Sequence, residues 1–181
     1  MTQFAYIVDD DEAIRDSLSW LMQSREIPCK TFPSAEAFLE TWNAAFAGCL
    51  LLDIRMEEMS GNELFDRLVE SGCQLPVIFL TGHGDVPLAV STLKNGAFDF
   101  VEKPFNDNHL VDRVLEAFKL DDERRRAAAS ADSLQRRLAR LTPRERQVME
   151  RILAGKLNKV IAYEMNLSMR TVEVHRASLF E

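Results

Sequence analysis

The chain has 181 residues, 46% of them hydrophobic, and a formal net charge of −7. That is enough for one medium domain and a small second one. Its apolar residues come in short runs, none near the eighteen or so that a membrane span requires, and no basic leader with a long apolar core opens the sequence. Cys29, Cys49 and Cys73 are odd in number and widely spaced in apolar contexts, which favours reduced, buried thiols over a disulfide bridge or a cysteine zinc site, with the cytoplasm as the natural compartment.

The charge is unevenly placed. Residues 1–120 carry 9 Lys/Arg against 20 Asp/Glu, whereas residues 121–181 carry 13 against 9. An acidic front and a mildly basic tail assign any polyanionic partner to the C-terminal part.

Phe4-Ala5-Tyr6-Ile7-Val8 reads as a buried strand running into Asp9, Asp10 and Asp11. Ile14, Leu18, Leu21 and Met22 then fall at helical spacing, with Asp10 or Asp11 near the N-terminus of that helix. Pro28 to Phe32 is a short strand, and Ser34 caps a helix carrying Ala37, Phe38 and Trp42. Gly48 closes the next loop, and Cys49-Leu50-Leu51-Leu52 forms a strand buried on both faces that delivers Asp53 to its end.

A polar loop leads to Ser60-Gly61 and a helix with Leu64, Phe65, Leu68 and Val69, followed by the strand Val77 to Leu80 ending at Thr81. A helix over about Val86 to Asn95 and a strand over Phe98 to Val101, running into Lys103-Pro104-Phe105, complete the series. Five strand and helix pairs in about 120 residues describe an α/β fold with a doubly wound five-stranded parallel sheet. In such sheets the chemistry collects at the carboxyl ends of the strands. Asp9, Asp10 and Asp53 would meet there if the first and third strands are neighbours, with Thr81 and Lys103 beside them. A carboxylate-only cluster suits a hard cation such as Mg²⁺ (or Mn²⁺), which leaves room for a phosphoryl oxygen.

No Pro or Gly interrupts Asn106 to Leu141. The first part is amphipathic, with Leu110, Val111, Val114, Leu115 and Phe118. The second, 120–140, is rich in Ala, Arg and Glu, with Leu120, Ala127, Leu134 and Leu141 at heptad spacing. That seam is short and alanine-rich, so a solvated helical spacer is the reading taken over a coiled coil.

Thr142-Pro143-Arg144-Glu145 is a capping box with Pro at the first helical position, and Val148, Ile152 and Leu153 are expected to face inward before Gly155. Asn158 to Met165 forms a short second helix with Asn166 as a left-handed cap, and Ser168 opens a third through Thr171, Val172, His175 and Leu179. The result is a small all-α helix-turn-helix. Arg144, Arg146 and Arg151 are taken as a solvated face. On the third helix, positions 170, 173, 174 and 177 share one face while 172, 175 and 179 point to the core.

Taken together, Val8-Asp9-Asp10-Asp11-Glu12, Asp53-Ile54-Arg55-Met56 with Met59-Ser60-Gly61, Thr81-Gly82-His83-Gly84-Asp85-Val86-Pro87 and Glu102-Lys103-Pro104-Phe105 resemble the receiver of two-component response regulators. Leu141-Thr142-Pro143-Arg144-Glu145-Arg146, Leu157-Asn158-Lys159 with Ile161-Ala162, and Thr171-Val172-Glu173-Val174-His175-Arg176 resemble a LuxR/NarL-type output domain, as in the FixJ-like branch. The expected division is a receiver over 1–119, a helical linker over 120–140 and a DNA-binding domain over 141–181.

The resemblance implies that Asp53 accepts a phosphoryl group from a sensor histidine kinase. It also implies that Asp9, Asp10, Asp53 and the Arg55 backbone carbonyl bind Mg²⁺. Thr81 would be the switch hydroxyl, Phe100 the switch aromatic and Lys103 the phosphate contact, with a cis Lys103-Pro104 bond. Thr81 and Phe100 would repack the surface around Val90 and Lys94, freeing the output domain or forming a homodimer.

At promoter DNA, Glu173, Val174 and Ala177 would face bases while Lys159, Arg170, Thr171 and Arg176 serve phosphates. No enzyme activity is expected beyond the receiver's own phosphoryl transfer and dephosphorylation. An aspartyl-phosphate hydrolase would want an acid at position 55, where this chain has Arg55. A phosphorelay or protein-binding receiver without DNA-binding output is the alternative. Two departures stand out: Glu57, followed by Glu58, occupies the place where proline usually follows the Asp-x-Arg-Met segment, and the output domain over 141–181 is expected to lack the family's fourth helix.

Overall fold

The computed structural model describes residues 2–82 and 92–179. Backbone packing divides the chain into two compact units, Met1–Arg126 and Ala127–Glu181.

The first unit alternates strand and helix: β1 (Phe4–Val8), α1 (Glu12–Ser24), β2 (Cys29–Phe32), α2 (Ala35–Thr41), β3 (Gly48–Asp53), α3 (Gly61–Glu70), β4 (Val77–Thr81) and β5 (Asp99–Glu102). The long helix α4 (Asp107–Arg140) follows. All strand pairs are parallel, in the order β2-β1-β3-β4-β5. β1 and β3 are therefore neighbours, with Val8 opposite Leu52, so their C-terminal ends share one rim.

The central strands are buried on both faces because each carries apolar side chains at odd and even positions. Tyr6, Val8, Leu50, Leu52 and Phe79 pack on one side with Phe38, Leu64, Phe65 and Leu68. Ala5, Ile7, Leu51, Ile78 and Leu80 pack on the other with Leu18, Met22, Leu110, Val111 and Val114. Local signals set the helix starts: Asp11 accepts from Ala13 N–H at α1, Ser34 from Ala37 N–H at α2, and Ser60 and Glu63 form a capping box at α3.

The expected helix over about 86–95 and its Val90 lie mostly outside the described residues, although 92–94 are helical. So does the motif segment His83 to Pro87. β5 is shifted one residue from the expected Phe98–Val101. Val69 and Leu115, at apolar helix positions, are exposed at the edges of the buried stripes. Cys49 is buried, Cys29 and Cys73 are half-buried, and all three are free thiols.

The long helix stays packed on the first unit as far as Arg125 and is exposed over most of 126–140. Asp121 is fully buried and accepts the Gly48 backbone N–H at 2.9 Å. Arg125 Nε donates to both Asp121 oxygens at 2.9 and 3.0 Å, and Arg125 also donates to the Phe46 carbonyl. Arg124 donates to the Gln74 carbonyl at 3.1 Å. Farther along, Asp122–Arg126 and Asp132–Arg136 pair along the helix, and Leu134 is exposed.

In the second unit, α5 (Pro143–Leu153), α6 (Asn158–Met165) and α7 (Met169–Leu179) enclose a core of Val148, Ile161, Ala162, Met165 and Val172. Thr142 and Glu145 form the expected capping box, and Asn166 takes the left-handed conformation at φ 52°. Glu145 also accepts from the Ser178 hydroxyl at 2.9 Å, joining α5 to α7. Two expectations are corrected. Leu153 is exposed because α5 ends beside it at Ala154 and Gly155 turns the chain away. Arg151 is not merely solvated, because its guanidinium bridges to Glu164 at 3.2 Å and to the Gln147 carbonyl at 2.9 Å.

Candidate functional site: an acidic rim with one ammonium and one buried hydroxyl

Asp9 and Asp10 follow β1, Asp53 ends β3, Thr81 ends β4 and Lys103 follows β5. The parallel order brings these ends to one edge. Asp9, Asp10 and Asp53 each present a carboxylate oxygen within 4.8 Å of the others. Asp9 and Asp53 are buried and Asp10 is exposed.

Lys103 Nζ donates to Asp53 Oδ1 at 2.7 Å and to Asp9 Oδ2 at 2.9 Å. Its backbone N–H donates to the Thr81 carbonyl at 2.7 Å, and its bond to Pro104 is cis. Thr81 has no exposed surface, and its hydroxyl has no hydrogen-bond partner among the described residues. A buried hydroxyl without a partner is costly, and from this strand end it could donate to an oxygen bound at the rim.

Burial raises the Asp53 carboxyl above its ordinary value, the Lys103 ammonium pulls it back in part, and the Asp9 and Asp10 charges push it up again. For Lys103, burial favours the neutral amine, but the hydrogen bonds to Asp53 and Asp9 outweigh it and its pKa is raised. Asp53 is thus a more basic carboxylate than a free one, held beside a firmly charged ammonium. Three carboxylates with no nitrogen or sulfur donor among them fit a hard, oxygen-seeking cation of the Mg²⁺ type.

Arg55 is exposed two residues beyond β3, and Phe100 is half-buried on β5 opposite Phe79, packed against the apolar layer. On α7, Arg170, Glu173, Val174 and Ala177 are exposed, Val172 is buried, and His175 and Leu179 are half-buried. Lys159 is exposed on α6. Thr171 is engaged in the cap of α7, its hydroxyl 2.8 Å from that of Ser168, and Arg176 donates to Asn158 Oδ1 at 3.1 Å.

Two supporting residues escaped the sequence reading. Arg15 Nη1 donates to the carbonyls of Asp9 and Asp10 at 2.8 and 2.9 Å, fixing the acidic turn from one helical turn away. Its position four residues past Asp11 was the available signal. Gly61 stands in the sequence at a loop-to-helix junction with no sign of its tight surroundings, but a Cβ there would meet the Asp53 carbonyl oxygen at 2.1 Å. Glycine therefore lets α3 start directly against the C-terminal end of β3.

Comparison with known proteins agrees with this geometry. A family model described as "Response regulator receiver domain" matches residues 5–115, and one described as "Bacterial regulatory proteins, luxR family" matches residues 139–181. The chain is 50% identical over 179 residues to the C4-dicarboxylate transport transcriptional regulatory protein DctR of Rhodobacter capsulatus, covering 98% of this chain and 91% of that one. It is 43% identical over 174 residues to the transcriptional regulatory protein FixJ of Bradyrhizobium diazoefficiens, covering 96% and 85%.

Among solved structures, response regulator StyR superposes with a TM-score of 0.92 at 38% identity, covering 99% of this chain and 90% of that one. Full-length FixJ from B. japonicum gives a TM-score of 0.66 at 42% identity, covering 99% and 88%. The luxR-family match supports a DNA-binding output over a receiver without one. An acidic rim with its lysine and buried threonine on a five-stranded parallel sheet, followed by a helix-turn-helix, thus places this chain among the two-component response regulators, as a transcriptional regulator with a receiver and a LuxR-type DNA-binding domain.

Proposed function

We propose that Asp53 is the phospho-acceptor, and that its phosphorylation by a sensor histidine kinase controls promoter binding by the helix-turn-helix. The observation that carries this is the meeting at one sheet edge of Asp53, Asp9, Asp10, Lys103 and a Thr81 hydroxyl that has no partner among the described residues. In the transfer, an Asp53 carboxylate oxygen bonds to phosphorus while the phosphorus–nitrogen bond of a phosphohistidine breaks, its electron pair leaving with the imidazole. Lys103 then exchanges its bond to Asp53 for one to a phosphoryl oxygen, and Thr81 donates to another.

Asp9, Asp10, Asp53 and the Arg55 carbonyl would hold Mg²⁺ or Mn²⁺, which when bound would offset phosphoryl charge. Phosphorylation turns the singly negative Asp53 carboxylate into an acyl phosphate of about −2, moving the charge from the carboxylate onto three phosphoryl oxygens. Thr81 moving toward it vacates space that Phe100 follows into, changing the surface that includes Lys94 and favouring a homodimer. On α7, Glu173, Val174 and Ala177 would face bases. Lys159, Arg170, Thr171 and Arg176 would serve phosphates, the last two only after rearranging the hydrogen bonds they now make. The regulator would work in the cytoplasm and turn over no substrate beyond its own phosphoryl group.

The test is acetyl-phosphate labelling read by intact mass, beside a promoter mobility shift at fixed salt. Wild type should gain one phosphoryl mass and bind DNA more tightly, and Asp53→Asn should do neither. Labelling of Asp53→Asn at the wild-type level would remove the acceptor assignment.

A further inference from the structure

The loop after β3 offers the acidic cluster a donor that comes from the main chain. Glu57 N–H donates to Asp10 Oδ2 at 2.9 Å. The loop that presents it is closed at its base, where Gly61 N–H donates to the Ile54 carbonyl at 3.0 Å and the Ser60–Glu63 capping box fixes the start of α3. Immediately after Glu57 the chain turns through Glu58 at φ 62°, a left-handed conformation that a residue with a Cβ adopts only under constraint.

Asp10 is the exposed member of the cluster, so its carboxylate has rotamers that turn away into water. A bond to one oxygen restricts that choice while leaving the other oxygen and further lone pairs free. Position 57 is also where the family resemblance places proline, which has no N–H to give. The departure from the pattern therefore adds a hydrogen-bond donor as well as a charge.

We propose that Glu57 is a positioning residue that acts through its backbone N–H: it holds the Asp10 carboxylate toward Asp9 and Asp53 and so sets the divalent-cation affinity of the cluster, with no requirement for its own side-chain charge. This rests on the reading of the cluster as a cation site. Hydrogen bonds to ligating carboxylates are the kind of support whose removal weakens metal affinity by about 10–100-fold.

The experiment measures Mn²⁺ binding to the full chain by electron paramagnetic resonance, with Mg²⁺ as competitor at constant ionic strength. Glu57→Pro removes the N–H, whereas Glu57→Gln keeps it and removes the charge. Glu57→Pro should bind roughly tenfold more weakly and Glu57→Gln should stay within about twofold of wild type. Equal affinity in Glu57→Pro, or an equal loss in Glu57→Gln, overturns the proposal.

Because the proline could distort the loop, a second measurement follows amide exchange in chains that keep Glu57. The Glu57 N–H should exchange roughly tenfold faster in Asp10→Ala than in wild type, as expected when a buried or bonded donor is released. Unchanged exchange overturns the proposal as well. Failure of wild type itself to bind Mn²⁺ at millimolar levels would sink the cation reading and this inference with it, whereas binding that ignores Glu57→Pro sinks the inference alone.

Discussion

Replacing Asp121 by alanine tests whether the receiver extends along the long helix through a buried ion pair. Asp121 has no exposed surface and accepts the Gly48 N–H at 2.9 Å and Arg125 Nε at 2.9 and 3.0 Å. Truncation strands the Gly48 donor, worth about 1–3 kcal/mol for a buried group. It also strands Arg125, but that side chain is 31% exposed and can turn part of its charge to water. The expected loss for Asp121→Ala is therefore about 2–3 kcal/mol, at the low end of what breaking a fully buried pair costs.

Arg125→Met should cost more, about 3–4 kcal/mol, because the carboxylate it abandons is the buried partner. The double variant should lose less than the sum of the two. Both tryptophans, Trp20 and Trp42, lie in the first unit, so urea unfolding followed by tryptophan fluorescence reads this unit alone. A loss of 2–3 kcal/mol corresponds to a melting shift of about 10 °C for a unit of this size. Gly48 and Asp53 are the two ends of β3, roughly 16 Å apart at about 3.3 Å per residue. Asp53 labelling of the folded variant should thus be unchanged. A loss under about 0.5 kcal/mol, the range of ordinary surface substitutions, would refute the clamp.

Three further outcomes are expected. Because Asp53 has a folded-state pKa raised above its usual 3.8, the native state holds its proton more tightly than the unfolded state, so this group lowers stability as pH rises from about 4 through the raised value. Unfolding midpoints in chelator should show that decline in wild type, and Asp53→Asn should flatten it; parallel profiles would contradict the assignment. Gly61→Ala should cost about 2 kcal/mol and slow labelling of Asp53, since the new methyl meets backbone at 2.1 Å; the measurements are the same urea titration and the labelling rate. Thr142→Ala should remove about 1 kcal/mol from the second unit by uncapping α5. Amide exchange at Val148 and Ile161 should report it, and unchanged rates would argue against the capping box as a contributor.

Much of the architecture was legible in short stretches because the physics there is local. The apolar runs ending in Asp9, Asp53 and Thr81 announced strands buried on both faces, and their alternation with helical spacing announced a parallel sheet. Capping chemistry did the same for helix starts, at Ser34 and Thr142, and for the left-handed end at Asn166. The convergence of the aspartates also followed, once neighbouring first and third strands were assumed.

What depended on distant segments could not be read that way. Asp121 and Asp122 are adjacent acids on one helix, yet one is fully buried and the other is not, because only the first faces the start of β3 seventy-three residues earlier. Leu115, Val69 and Leu153 carry apolar side chains at helical spacing, but among the described residues no neighbouring element covers them. The Glu57 amide on Asp10 and the Arg15 guanidinium on the acidic turn are likewise products of loop closure and helix placement. Periodicity sets the phase of an element from its own residues, whereas which side chain meets a partner is set by where the rest of the chain ends up.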